Sequence, residues 1–358
     1  MKAASFEAGR DTGLMAHRFS RIYIERGVED HTITRTIVSR LPWARKIPVN
    51  HYKDMFSRPG QDRFTQKSCP QLILAAGRPP FLYRGAEVCP SFGNPAFYYA
   101  SSIMNCIYDC EYCYLQGMYS SANIVVFVTI EDIFSEIDSL LKTLRQKNSA
   151  HTPTLYLCNS YDTDLLALDR IVPLSGHWLD FASRRPEMLM EMRTKSAGTA
   201  WITRTRPVPN AIIAWTMTPD PVARTFEPHA PPLSARLKAA QRAISAGWRV
   251  RLCIDPMLFV KDWDIHYSRL IDDIFRRLDP EQVDSVSIGV FRMGKDLLKR
   301  ARKARPDSGL LYYPFENIRG VCSYPPEISS AMTTLAEERL RQFMPGDKIT
   351  IQDMDPTN

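Results

Sequence analysis

Cys106, Cys110 and Cys113 stand in one short run, Cys106-Ile-Tyr-Asp-Cys110-Glu-Tyr-Cys113, directly after the strand-like segment 97–101. At this spacing each thiolate can take one iron of a cubane and leave the fourth iron open, so the fold must present the loop with room for a small molecule beside it. Structural zinc prefers four protein ligands, usually as two separated pairs, and the run offers neither a second pair nor a nearby histidine. Zinc is the weaker reading. Three unrelated core cysteines, drawn from the chain's eight, would have to fall together by chance.

The spacing resembles the motif of the radical S-adenosylmethionine superfamily at every ligand position. The resemblance implies a [4Fe-4S] cluster held by Cys106, Cys110 and Cys113, with S-adenosyl-L-methionine on the open iron as the source of a 5′-deoxyadenosyl radical. The cofactor would carry the difficult chemistry, and the protein would orient and shield it.

The 358 residues, 44% apolar and 24% charged, suit an ordinary globular chain with one large core or two modest ones. No apolar run approaches the roughly 20 residues that span a bilayer, and residues 1–10 lack the apolar core of a signal peptide. The expected location is the cytoplasm, where thiols stay reduced, with no membrane partner. The net charge of +7 is concentrated. Lys295, Lys299, Arg300, Arg302, Lys303 and Arg305 recur at helical spacing, and Arg40, Arg45 and Lys46 form a second group. Such runs are more often solvated helix faces than binding sites, yet they also suit a polyanion.

From residue 97 the pattern alternates strands and helices. Strands are expected at 97–101, 124–129, 154–158, 188–194, 212–217, 249–255 and 283–290, with amphipathic helices at 130–146, 233–245 and 265–278. Strands separated by helices imply parallel βαβ units and an α/β fold, a partial (β/α)6-type barrel with the cysteine loop at the carboxyl end of its first strand. Residues 1–96 read as an irregular amino-terminal extension packed on a barrel of residues 97–305. Residues 306–358 read as a small α+β region that contacts the substrate, with a helix near 329–343 and a terminal strand at 348–352.

Beyond the superfamily motif the chain resembles the spore photoproduct lyase family. The likeness is sharpest at Cys110-Glu-Tyr-Cys-Tyr-Leu-Gln116, where tyrosines flank the third cysteine, and it implies that Tyr112 and Tyr114 pass a hydrogen atom toward deoxyadenosine. Their plainer reading is aromatic packing around the loop. Met192-Arg-Thr-Lys195 matches a pair whose lysine contacts the cofactor carboxylate, an anion that a strand-end lysine facing a barrel mouth needs. Thr216 falls where the family has a cofactor-site serine, and Thr163 joins the cofactor-binding set. Phe226-Glu-Pro228 before Leu233-Ser-Ala-Arg-Leu237, and Asp255-Pro256 after a strand, extend the match. For Glu227 and Arg236 a buried pair organising the turn is as good a reading as ligand contact.

Two segments depart from the family. Its hydrogen-donating cysteine lies in a Cys-Thr-Ser-Asp stretch, here Cys158-Asn-Ser-Tyr161-Asp-Thr163-Asp164. Anchoring on Thr163-Asp164 puts Tyr161 at the cysteine position, and only a two-residue insertion brings Cys158 into register. Cys158 is taken as the donor, against a small buried hydrophobe. The family's DNA-wedging hairpin corresponds to the segment 310–326, which keeps aromatics and Arg319, suited to stacking and phosphate contact, and adds Cys322 as a further donor candidate.

The resemblance implies hydrogen abstraction from a thymine-derived base in DNA that has left the stack, leading to thymine-dimer cleavage and DNA repair, with an external electron donor such as flavodoxin or ferredoxin. Without a good hydrogen donor the substrate radical would rearrange, as in an isomerase modifying a thymine side chain. A radical enzyme on a non-DNA substrate and a non-catalytic, metal-stabilised nucleic-acid-binding protein stay open as alternatives.

Overall fold

The computed structural model describes residues 19–86, 88–147 and 155–352. The amino-terminal reading of residues 1–10 and the expected strand start at Thr154 lie outside them.

The region expected to be irregular is more ordered than its composition suggests. Strands β1 (Arg21–Glu25), β2 (Arg45–Val49) and β3 (Leu72–Ala75) lie parallel, with β1 between the other two. Their short apolar runs, Ile22 to Ile24 and Leu72 to Ala75, are what strands covered on both faces look like in sequence. Next, β4 (Leu82–Arg84) and β5 (Ala96–Ala100) pair antiparallel and open the main sheet. The chain then returns through β6 (Ile103–Met104) and β7 (Ile124–Phe127), which complete the first sheet in the order β2-β1-β3-β7-β6. The strand expected at 124–129 therefore forms, but beside β3 rather than among the barrel strands. Its four residues are all buried, and a continuous apolar run does not say which of two sheets it joins.

The second sheet has the order β16-β12-β11-β10-β9-β8-β5-β4. Here β8 (Leu155–Cys158), β9 (Met188–Thr194), β10 (Ala211–Thr216), β11 (Arg249–Met257) and β12 (Ser285–Val290) follow β5 in chain order, all parallel. A small antiparallel sheet of β13 (Arg292–Gly294), β14 (Glu316–Ile318) and β15 (Val321–Ser323) follows, and β16 (Ile349–Ile351) adds to β12. Pairings thus join residues on either side of positions 96 and 305. Helices 130–147, 233–245 and 263–275 form where the periodicity places them. The helix Leu174–Ser183 was not foreseen. Its Gly176 and its wide apolar face, with Leu174, Trp178, Phe181 and Ala182 all buried, blur the 3.6-residue stripe.

Alternation along the six strands sorts two layers. Leu155, Leu157, Met190, Met192, Ile213, Trp215, Val250, Leu252, Val286 and Ile288 enter the main hydrophobic core. The intervening Tyr156, Cys158, Glu191, Arg193, Thr216, Arg251, Cys253 and Asp255 face the lumen, so the concave side is polar. Edge strands β4 and β16 both border one cavity of about 730 Å³, lined among others by Arg84, Cys89, Phe97, Arg292, Arg319 and Thr350. The sheet therefore curves until its two edges flank a common side opening.

Candidate active site

The cysteine loop starts from Asn105, which adopts φ +75°, a left-handed conformation that Asn tolerates better than most residues. Its amide donates to Ser121 O at 2.7 Å and Asn123 O at 3.1 Å, and its Oδ1 accepts from the Cys106 amide at 3.1 Å. Gln116 Nε2 closes the loop from the other side, donating at 2.9 Å to both Asp109 Oδ1 and Cys110 O. Arg305 and Lys67 pair with Asp109, Lys67 at 3.4 Å. Gly117 follows where any Cβ would meet the Leu297 carbonyl, so glycine lets the helix Lys295–Ala304 lie directly on the cluster-loop helix Leu115–Met118.

Burial pushes the thiols of all three cysteines up, Cys106 to about 12, with Asp164 and Cys113 adding to it. Such thiols ionise only when cations or metal compensate them. The cations are present: Lys67 and Arg63 act on Cys113, Lys67 on Cys106, and Lys195 on Cys110 and Cys113. Arg63 Nε and Nη2 are buried without a hydrogen-bond partner, which suits positive charge aimed at an anionic group. Among the described residues, no three His, Cys, Asp or Glu side chains are gathered around a single metal position. The donor set fits a cubane, whose ligands approach three different irons, and the cationic surround offsets its negative charge.

Beside the loop lies a buried charged cage. Glu227, 2% exposed, pairs with Arg236, 0% exposed. It also accepts from Tyr112 Oη and, at 2.8 Å, from Thr218 Oγ1. Lys195 Nζ stands 4.0 Å from Glu227 Oε1 and 5.4 Å from the Tyr112 ring centroid. Burial raises the Glu227 carboxyl, but Lys195, Arg236 and the phenol outweigh it and hold the group below the usual carboxylate range. Burial likewise lowers the Lys195 ammonium, yet Cys110 and Glu227 reverse that, so it stays charged. The backbone amide of Lys195 donates to Asp164 at 2.6 Å, and Thr194 Oγ1 does so at 2.7 Å. Thr163 Oγ1 is buried with no partner, and the Thr216 carbonyl accepts from Arg236 at 3.2 Å. The fold thus brings Cys110, Tyr112, Lys195 and Thr216 together around Glu227 and Arg236, a buried pair that organises the turn.

The donor candidates separate. Tyr114 Oη donates to the Tyr161 carbonyl. Cys158 sits on the lumen wall, opposite Glu191 in register, with Glu191, Arg193 and Arg251 as its charged neighbours and Cys89 nearby. By the strand's alternation its side chain faces the lumen, as a donor to a substrate held in the barrel would need. Cys322 is buried in β15, where Asn317 Nδ2 approaches its sulfur at 3.6 Å.

Sequence reasoning missed Arg63 and Lys67, whose i, i+4 spacing on the helix Arg63–Ser68 was the available signal. It also missed the lumen network. Arg251 and Tyr156 hold Glu191 at 2.6 and 2.5 Å, and Arg292 grips Asp255 with two bonds of 2.8 and 3.0 Å. Arginines alternating with apolar residues on β9 and β11 carried that signal in part. Of the basic stretch, Arg300 donates to Gly117 O, Arg302 to Leu311 O and Tyr313 O, and Arg305 binds Asp109, while Lys295, Lys299 and Lys303 are exposed.

Residues 91–306 match the family model for spore photoproduct lyase. The spore photoproduct lyases of Bacillus subtilis (strain 168) and Geobacillus sp. (strain Y412MC61) are each 22% identical to it, over 47% and 49% of this chain respectively. The chain spans about half the length of these curated relatives, 48% and 50%. A solved spore photoproduct lyase double mutant with bound AdoMet and dinucleoside spore photoproduct has the same fold, with TM-score 0.79 and 17% identity over 94% of this chain and 99% of that one. A spore photoproduct lyase complexed with dinucleoside spore photoproduct superposes equally well, at TM-score 0.79 and 16% identity over 94% and 98%. With more than half of its residues under the family model and the three cysteines following the first of six parallel strands, β5 and β8 to β12, this chain belongs to the spore photoproduct lyase family.

Proposed function

We propose that this protein is a radical S-adenosylmethionine lyase that cleaves a thymine dimer in DNA. The carrying observation is the meeting of the three-thiol loop with the Lys195–Glu227–Arg236–Tyr112 cage, in a sheet whose two edges border a side cavity. When bound, the cluster and S-adenosylmethionine supply a 5′-deoxyadenosyl radical.

The chain's own residues hold and shield that chemistry. Lys195 would meet the cofactor carboxylate, its ammonium held near Glu227, and Thr163 Oγ1 offers an unused donor and acceptor. Glu227, ionised and hydrogen-bonded to Tyr112, is positioned to accept the phenol proton if Tyr112 gives up an electron. On the substrate side, a damaged base must leave the helix to reach the cavity. The lumen charges Arg193, Arg251 and Arg292 against Glu191 and Asp255 leave one positive charge in excess, which suits a neighbouring phosphate. Arg319, at φ +50° between β14 and β15, lines the opening and would contact the backbone, with Lys295, Lys299 and Lys303 extending the basic track. An external one-electron donor of the flavodoxin or ferredoxin class would reduce the cluster. Among the described residues no helix is long and apolar enough to cross a membrane.

The test is anaerobic reconstitution with iron and sulfide, then incubation with S-adenosylmethionine, reductant and DNA carrying a methylene-bridged thymine dimer, with mass spectrometry of the digest. Repaired thymines are expected. Intact dimer beside consumed cofactor refutes the lyase reading, and a rearranged base in DNA carrying a modified thymine would assign an isomerase instead.

A further inference from the structure

Cys89 lies in the segment between β4 and β5, outside the motifs recognised in the sequence. Its sulfur is 3.0 Å from Tyr161 Oη, and it lines the side cavity, whereas Cys158 is not among that cavity's lining residues. The segment is pinned in place. Cys89 N donates to Ala86 O at 2.8 Å, and the Val88 carbonyl accepts from Arg292 Nε at 2.8 Å. Arg292 is itself locked to Asp255.

Behind Cys89 the aromatic rings run back to the cluster loop. Tyr161 stacks on Tyr99 at 4.2 Å and 18° and lies 5.5 Å from Tyr114, whose hydroxyl holds the Tyr161 backbone. We propose that Cys89 is the hydrogen-atom donor to the substrate radical and that Tyr161, whose hydroxyl meets its sulfur, recharges it.

This assignment rests on the lyase reading. In the cavity the product carbon radical takes hydrogen from Cys89: the S–H bond breaks, a C–H bond forms, and a thiyl remains. Tyr161 then gives its hydroxyl hydrogen to sulfur, restoring the thiol and leaving a phenoxyl on a ring stacked against Tyr99. One electron from the external low-potential donor and one solvent proton return Tyr161 to the phenol. Both groups are kept in the protonated form that atom donation requires. Burial raises the Cys89 thiol more than Tyr161 and the arginines lower it, and burial raises the Tyr161 phenol too.

Two measurements test the pair. In D2O the exchangeable thiol should deliver deuterium to the repaired thymine. Cys89→Ala should lose that label and divert the product radical into adducts, while Cys158→Ala should keep it. Tyr161→Phe should support a first turnover and stall afterwards. Label retained in Cys89→Ala, lost in Cys158→Ala, or undiminished multiple turnover in Tyr161→Phe overturns the proposal.

The second measurement needs no turnover. Alkylation of Cys89 by iodoacetamide, mapped by mass spectrometry, should slow roughly two- to tenfold in Tyr161→Phe, because a hydrogen bond favouring the thiolate is lost. An unchanged rate overturns the pairing. If the wild type repairs no dimer at all, the lyase reading fails while the alkylation arm still decides whether the two side chains are coupled.

Discussion

Glu227→Gln isolates the charge that organises the cage, since it keeps the side chain's shape and removes only its ionisation. Arg236 would then be left fully buried with neutral acceptors alone: Pro231 O at 2.8 Å, Thr216 O at 3.2 Å and Thr218 Oγ1 at 3.4 Å. Breaking a buried pair by removing one partner costs about 3–5 kcal/mol. An unfolding entropy of about 2.1 cal/mol/K per residue, over a chain of 358, converts that cost to a fall in Tm of roughly 4–7 °C. Circular-dichroism melts of the cluster-free protein measure it. The cycle completed with Arg236→Met, alone and combined, separates the pair's coupling from the cost of leaving Arg236 stranded. The double variant should recover much of the loss. A melt within a degree of wild type for Glu227→Gln, or a double variant less stable than either single one, would show that the pair does not organise the turn.

Replacing Cys106, Cys110 or Cys113 by Ala should abolish cluster assembly, read as loss of iron, sulfide and visible absorption; a full cluster in the triple variant would sink the assignment. Lys195→Ala should leave that absorption intact and weaken S-adenosylmethionine binding roughly 10- to 150-fold, the worth of a charge-assisted hydrogen bond of about 1.5–3 kcal/mol, and equal affinity by calorimetry would return Lys195 to a structural role. Glu191, Glu227 and Asp255 are all held below their ordinary range by arginines and Lys195, against the opposing effect of burial. Their contribution is therefore complete above the unfolded carboxylate values of about 4 and is lost as pH falls through the depressed folded ones. Urea midpoints should be level from neutrality down to about pH 5 and drop below it, with a shallower acid limb in Glu227→Gln. Reversing Lys295, Lys299 and Lys303 to Glu should weaken DNA binding at low salt and flatten its salt dependence; unchanged binding would point to a small-molecule substrate.

The cysteine loop was legible because its information is local: spacing along a few residues fixes which thiols can share a cluster, whatever surrounds them. The barrel strands were legible for the same reason, since buried parallel strands and amphipathic helices each have a characteristic period. Lys195, Thr216, Glu227 and Arg236 were found through motif resemblance, and the fold draws them together by aligning the ends of β9 and β10 with the turn after them. Which sheet β7 joins was not legible, because an apolar run of four residues satisfies either partner. Nor was the lumen. Whether Cys158 faces the lumen or the core depends on strand register, and a one-residue difference reverses it. Cys89 and Tyr161 are 72 residues apart, in segments without periodicity. Their contact exists only because Arg292 ties one loop to the end of β11 while Tyr99 stacks under the other. The sequence by itself determined the chemistry this chain can hold and the kind of elements that carry it. The closing of the sheet around a polar lumen decided which of its thiols meets the opening, since that choice is made by packing between segments that share no local pattern.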